Sequence, residues 1–142
     1  MEFDFLVPID NEIINYKSHL SSQHIGGVMA LHTDDAFPDL SEVKIALVGV
    51  LENRGDEGVT TVVDLTSVRK SLYGLFMGNW KMGIADLGDI LAGNSTMDTY
   101  FAVKKVVASL IKKGIVPIVI GGSQDLTYAL YRAYDELEQM VN

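Results

Sequence analysis

The chain has 142 residues and a formal charge of −8, from 11 lysines and arginines against 19 aspartates and glutamates. That length suffices for one domain with a buried core. With 48% apolar and 21% charged residues, the composition is a folding one rather than a disordered one. The acidic balance argues against nucleic acid as a partner, because phosphate backbones are bound by neutralisation with lysine and arginine. The basic pairs Lys104-Lys105 and Lys112-Lys113 fall on a helix and near its end, where lysines are ordinary. The absence of cysteine excludes disulfides, thiolate metal sites and cysteine nucleophiles. No apolar run nears the roughly 18 residues of a membrane span. Residues 1–8 lack the basic start and apolar centre of a signal peptide. The expected location is the cytoplasm, with no membrane partner.

Residues 1–40 carry the weakest pattern. Residues 28–31 read as a short strand and residues 33–39 as a loop on turn-forming residues. This part is expected to form an N-terminal cover over a later core. Residues 44–50, KIALVGV, are the first clear strand, apolar enough for burial on both faces as in a parallel sheet. The polar loop over residues 51–58 follows, at the edge where open α/β folds carry ligands. It reads equally well as a solvated connection.

Val68, Leu72, Leu75 and Phe76 recur at helical spacing, with Asp64 or Thr66 as a cap and Gly78-Asn79 as a stop. Residues 83–87 read as a second strand ending in Gly88-Asp89. Ser95 and Asp98 form a capping box that opens a strong helix, with Met97, Phe101, Val103, Val107, Leu110 and Ile111 as its apolar face. Lys112 and Lys113 suit the negative helix end, and Gly114 the position after it. Residues 115–120, IVPIVI, are the most hydrophobic strand; Pro117 cannot donate to a central ladder and calls for an edge position or a gap in pairing. Gly121 and Gly122 shape the turn that follows. Leu126, Ala129, Leu130, Ala133 and Leu137 form the face of a last helix. Strand and helix alternate from residue 44 onward, which implies right-handed crossovers and a parallel sheet. A further strand would normally follow the last helix, so the arrangement reads either as a small complete domain or as the front half of something longer.

Several residue groups have the chemistry of a site. His19, His24 and His32 match no zinc spacing and are read as loop or surface residues. Asp86 and Asp89, three apart, either face the ligand edge of the sheet or form a turn or helix cap. Asp125 is a good N-cap for the last helix. Ser123 has no nearby base and is not read as a nucleophile. The turn Gly121-Gly122-Ser123-Gln124-Asp125 is the sharpest feature: paired glycines allow close approach, and a helix N-terminus follows. It has neither the spacing nor the lysine of a phosphate loop.

The segment IVPIVIGGSQDL, residues 115–126, resembles a strand-and-turn segment of the arginase, agmatinase and formimidoylglutamase family. There a buried strand ends in Gly-Gly, one variable residue and a histidine. KIALVGV resembles that family's first core strand, the stretch around Val68-Arg69-Lys70-Ser71-Leu72 its following helix, and IADLGD at residues 84–89 its next strand. The likeness spans roughly residues 41–135, and HTDDAFPDL at residues 32–40 looks closest to the formimidoylglutamase-like branch.

The resemblance implies a three-layer α/β/α sandwich with a mainly parallel sheet, one arginase-like domain over residues 1–142 representing the N-terminal part of that fold. It also implies the family's chemistry, hydrolysis of a guanidino or formimidoyl C–N bond by a water bridging two manganese ions. Gln124 takes the place of the family's histidine ligand, and a carboxamide oxygen is a weaker ligand than imidazole. The aspartate segments DxHxD and DxD that supply the other ligands are absent. The expectations are therefore no tightly bound manganese, no assignable catalytic residue, and no turnover by this chain alone. Open strand edges and helix faces are expected to drive self-association or burial against a C-terminal half. Two other readings stay open: a degenerate binding or structural relative on the same half-fold, and a small α/β domain of unrelated function.

Overall fold

The computed structural model describes residues 2–56 and 63–137. Positions 57 and 58 of the loop expected after the first strand lie outside them. The elements are β1 (Leu6–Val7), α1 (Asn11–Ser18), α2 (Ile25–Val28), β2 (Ala30–Leu31), β3 (Val43–Leu51), α3 (Thr66–Tyr73), β4 (Gly83–Leu91), α4 (Thr96–Lys112), β5 (Val116–Ile120) and α5 (Leu126–Glu136).

The sheet runs β1-β4-β3-β5, and β2 also pairs with β4. β3 is parallel to both β4 and β5, β2 is parallel to β4, and β1 alone is antiparallel. β2 sits beside Ala85 and Asp86, and β1 beside Asp89 and Ile90, so the two short strands share the edge of β4 remote from β3. The N-terminal residues thus enter the sheet. Two-residue strands have no periodicity of their own, and only their long-range pairing defines them.

β3 reads as an unbroken apolar run because both its faces are covered. Ala46, Val48 and Val50 are buried in the core that holds Val103, Val106, Val107 and Leu110 of α4 with Leu126, Ala129 and Ala133 of α5. Leu47 joins the opposite core, with Ile13 of α1 and Tyr73 of α3. Helices on both faces of a mainly parallel sheet make the three-layer α/β/α arrangement.

Four sequence expectations change in detail. β4 continues through Gly88 and Asp89 to Leu91, because Gly88 takes φ +89° where the register of β3 against β4 shifts between Leu47 and Gly49. α3 buries Arg69 and Tyr73 and packs Leu72 partly against the core, whereas Val68 is 40% exposed and Phe76, beyond the helix, 70% exposed, so the buried face only partly coincides with the expected one. On α4 the buried stripe runs through Ala102, Val103, Val106, Val107 and Leu110, leaving Met97 and Phe101 exposed. Asp125 makes no side-chain capping bond at α5. Pro117 lies in β5, which pairs with β3 alone among the described residues, the edge position its missing donor calls for.

Local chemistry sets the ends of α4. Ser95 Oγ accepts from the Asp98 backbone N–H, and the Asp98 carboxylate accepts from the Ser95 N–H, closing the capping box. Gly114 beyond the last turn takes φ +74°. Ser95→Ala is expected to cost about 1 kcal/mol of stability, measurable as a lowered urea midpoint with an unchanged slope.

Candidate functional site

The C-terminal ends of β3 and β5 lie side by side. The helix after β3 packs on one face of the sheet and the helix after β5 on the other. Such a reversal leaves a crevice at the strand ends, where open α/β sheets place ligands. Two polar assemblies and one glycine turn occupy this edge.

The first assembly centres on Glu52, immediately after β3 and fully buried. Its Oε1 accepts from Arg54 Nε at 2.8 Å and from the Arg54 backbone N–H at 2.9 Å. Its Oε2 accepts from Arg54 Nη2 at 2.6 Å and from Thr99 Oγ1 at 2.8 Å. Arg54 also donates to the carbonyls of Gly93 and Asn94 at the start of α4. A buried carboxylate with four donors satisfies its charge inside the fold. The Arg54 side-chain hydrogen bonds, working against burial, bring the Glu52 carboxyl down to about 2 from an ordinary 4.5.

The sign of the pH dependence follows. A carboxyl more acidic in the folded state gives stability that is fully present above its unfolded value and is lost as pH falls through its folded one. Between 4.5 and about 2, wild-type stability is expected to fall with a component that Glu52→Gln lacks. Thermal melts of both proteins across that window measure the difference.

The second assembly lies on the α3 side of β4. Arg69 is 3% exposed and Asp86 is fully buried. Arg69 donates through Nε to Asp86 Oδ2 at 2.8 Å and through Nη2 to Asp86 Oδ1 at 3.1 Å, a two-point pair. Its Nη1 donates to Asp89 Oδ1 at 2.7 Å, and Nη2 also reaches the Gly88 carbonyl. The Tyr73 hydroxyl donates to Asp86 Oδ2 at 2.6 Å. Burial opposes the charge on Arg69, but the Asp86 and Asp89 carboxylates outweigh it and raise the guanidinium. Burial, then the charge and hydrogen bond of Asp86, raise the Tyr73 phenol. Burial also raises Asp89, against the pull of Arg69. Asp86 and Asp89 thus neutralise a buried arginine, and Asp86 Oδ1 in addition accepts from the Gly88 N–H two residues on, the turn bond that the sequence offered as one reading. Gly49 leaves the room they need, since a Cβ there would collide with Asp89 Oδ1 and come within 2.9 Å of Arg69 Nη2.

The glycine turn follows β5. Gly121 and Gly122 take φ +84° and +81°, a region that L side chains rarely adopt. A side chain at 121 would collide with Leu65, and one at 122 would approach the Glu52 carbonyl within 2.6 Å. That carbonyl accepts from the Ser123 N–H at 2.8 Å, tying the turn to the end of β3. Gln124 is exposed. Asp125 accepts through Oδ2 from the Tyr100 hydroxyl of α4, and its Oδ1 is buried without a partner.

None of the histidine side chains bonds the groups of these assemblies, although the His32 N–H donates to the Asp86 carbonyl at 2.9 Å. His19 and His24 bond locally, and His24 stacks on Phe76. The His32 ring is within hydrogen-bonding distance of the Leu87 carbonyl at 2.9 Å.

A pair of divalent ions needs several oxygen or nitrogen donors converging on each. Among the described residues, no three histidine, cysteine, aspartate or glutamate side chains come together in that way. Asp125 Oδ1 is a lone acceptor, Gln124 is exposed, and Glu52, Asp86 and Asp89 are engaged by arginines. These residues do not fit a binuclear centre.

No protein-family model matches the chain, and no curated protein matches it in sequence. In three dimensions it is similar to the crystal structure of agmatine ureohydrolase of Thermoplasma volcanium. The TM-score is 0.56 at 21% identity, covering 84% of this chain and 41% of that one. The chain therefore has the three-layer, arginase-like α/β/α fold of a ureohydrolase, and it spans less than half the length of that protein. Among the described residues no helix is long and apolar enough to cross a membrane.

Proposed function

We propose that this chain supplies the N-terminal part of a ureohydrolase-type C–N hydrolase of the formimidoylglutamase-like branch, and that it does not turn over substrate alone. The observation that carries this reading is the ureohydrolase fold, in which KIALVGV, IADLGD and IVPIVIGGSQDL fall on β3, β4 and β5 in the order the sequence resemblance requires. HTDDAFPDL supports the branch, and the substrate class is a guanidino or formimidoyl group. The reaction needs metal-activated water, and among the described residues no set of side chains assembles to hold the ions. Cytoplasmic location and docking with a C-terminal half, or self-association, belong to the same proposal.

A second reading, a non-catalytic relative on the same fold, is favoured by the exposed Gln124 at the position of the expected histidine. One experiment separates the two: formamide release from formimidoylglutamate, and urea release from agmatine and arginine, with added manganese. The assay is run on the 142-residue chain and on a version extended with DxHxD and DxD segments. The hydrolase reading expects turnover from the extended version only. Silence of the extended version, folded and metal-loaded, would favour the non-catalytic relative. Turnover by the chain alone would contradict both.

A further inference from the structure

We infer that the turn between β5 and α5 is a structural anchor in this chain, built where the fold would otherwise present a metal ligand. Three ties carry the inference. The Tyr100 hydroxyl, one turn into α4, donates to Asp125 Oδ2, joining the start of α5 to α4. Gly55, in the loop after β3, lies so close to the Asp125 carboxylate that any side chain at 55 would collide with it. The Ser123 N–H donates to the Glu52 carbonyl at 2.8 Å, and the Glu52 side chain in turn accepts from Thr99 of α4. The turn is thus fastened to β3, to its following loop and to α4. Tyr128 of α5 packs edge-on against Tyr100 with ring centroids 6.3 Å apart, which restricts where the Tyr100 hydroxyl can go.

The chemistry of the anchor is opposed to that of a metal cradle. A carboxylate that accepts a phenol and packs against backbone has one oxygen engaged, and its other oxygen is closed off without a partner. The adjacent side chain, Gln124, is a neutral carboxamide at the surface. Placing a histidine at 124 restores one donor and leaves the rest of the anchor unchanged. Gln124→His in this chain is therefore not sufficient for binding. The inference rests on the ureohydrolase reading only for the expectation of a ligand at 124; the anchor itself stands on the contacts.

The test is a double-mutant cycle on the 142-residue chain with Tyr100→Phe, Asp125→Asn and the pair, read by thermal denaturation, beside a manganese titration of wild type and Gln124→His. The titration follows loss of the free Mn²⁺ electron paramagnetic resonance signal. Each single substitution is expected to lower Tm by several degrees, and the pair by clearly less than the sum. Neither protein should remove stoichiometric Mn²⁺ at micromolar concentration. Additive or absent effects on Tm would overturn the anchor. Stoichiometric uptake of Mn²⁺ by either protein would overturn its opposition to a metal site. The Tm readout needs no activity, so failure of the anchor and failure of the hydrolase reading are told apart.

Discussion

Arg69→Met is expected to destabilise the protein by about 3–5 kcal/mol, the cost of leaving a buried carboxylate without its partner. Methionine preserves most of the packing of α3 on the sheet but withdraws all four hydrogen bonds that Arg69 makes to Asp86, Asp89 and Gly88. Asp86 then keeps the Tyr73 hydroxyl and the Gly88 N–H, which are not enough for an ionised group with no exposure. The double variant Arg69→Met, Asp86→Asn removes the stranded charge as well and is expected to recover most of the loss. Urea denaturation of the three proteins decides. If the double variant is as unstable as the single one, the loss comes from packing and the charge argument fails. Since whole domains are stable by only about 5–15 kcal/mol, the single variant stands near the limit of folding.

Gly122→Ala is expected to cost about 2–4 kcal/mol, from left-handed backbone strain together with displacement of a backbone acceptor. The new Cβ meets the Leu126 side chain and the Glu52 carbonyl, and the latter cannot move without weakening the Ser123 N–H bond. Gly114→Ala is the control. Its φ of +74° is equally unfavourable, but nothing lies within 4 Å of the added carbon, so strain alone remains. The expected cost there is about 1 kcal/mol. Equal losses at the two positions would show that the turn is not held by contact with β3.

The parts of the fold legible in the sequence were those set by local chemistry. Ser95 and Asp98 announce the start of α4, Gly114 its end, and the apolar run 44–50 a strand covered on both sides. The glycine pair after β5 marks a turn because only glycine takes its backbone comfortably. What escaped was everything decided by partners distant in sequence. Arg69 looks like a surface residue of an amphipathic helix until Asp86, 17 residues later, is brought beneath it. The helical spacing of Val68, Leu72 and Phe76 therefore caught only Leu72 of the packed face of α3. Its buried pair, Arg69 and Tyr73, is itself spaced four apart, a signal that reads as core only once the acceptor on β4 is known. β1 was illegible for the same reason, being defined by β4 rather than by its own residues, whereas the strand read at 28–31 holds as β2 over its last two residues. Asp125 had the right identity for an N-cap, but a phenol from α4 engages its carboxylate instead.

Within this ureohydrolase-type fold, the turn after β5 is proposed to be anchored to α4 and to the end of β3 in place of cradling a metal ion. The most direct measurement is an anomalous difference map at the manganese absorption edge from crystals of the 142-residue chain soaked in manganese. The expected result is the sheet order β1-β4-β3-β5, the Tyr100 hydroxyl on Asp125, and no anomalous peak within coordination distance of Gln124 or Asp125. A well-occupied peak there, with Asp125 turned away from Tyr100 toward the ion, would contradict it.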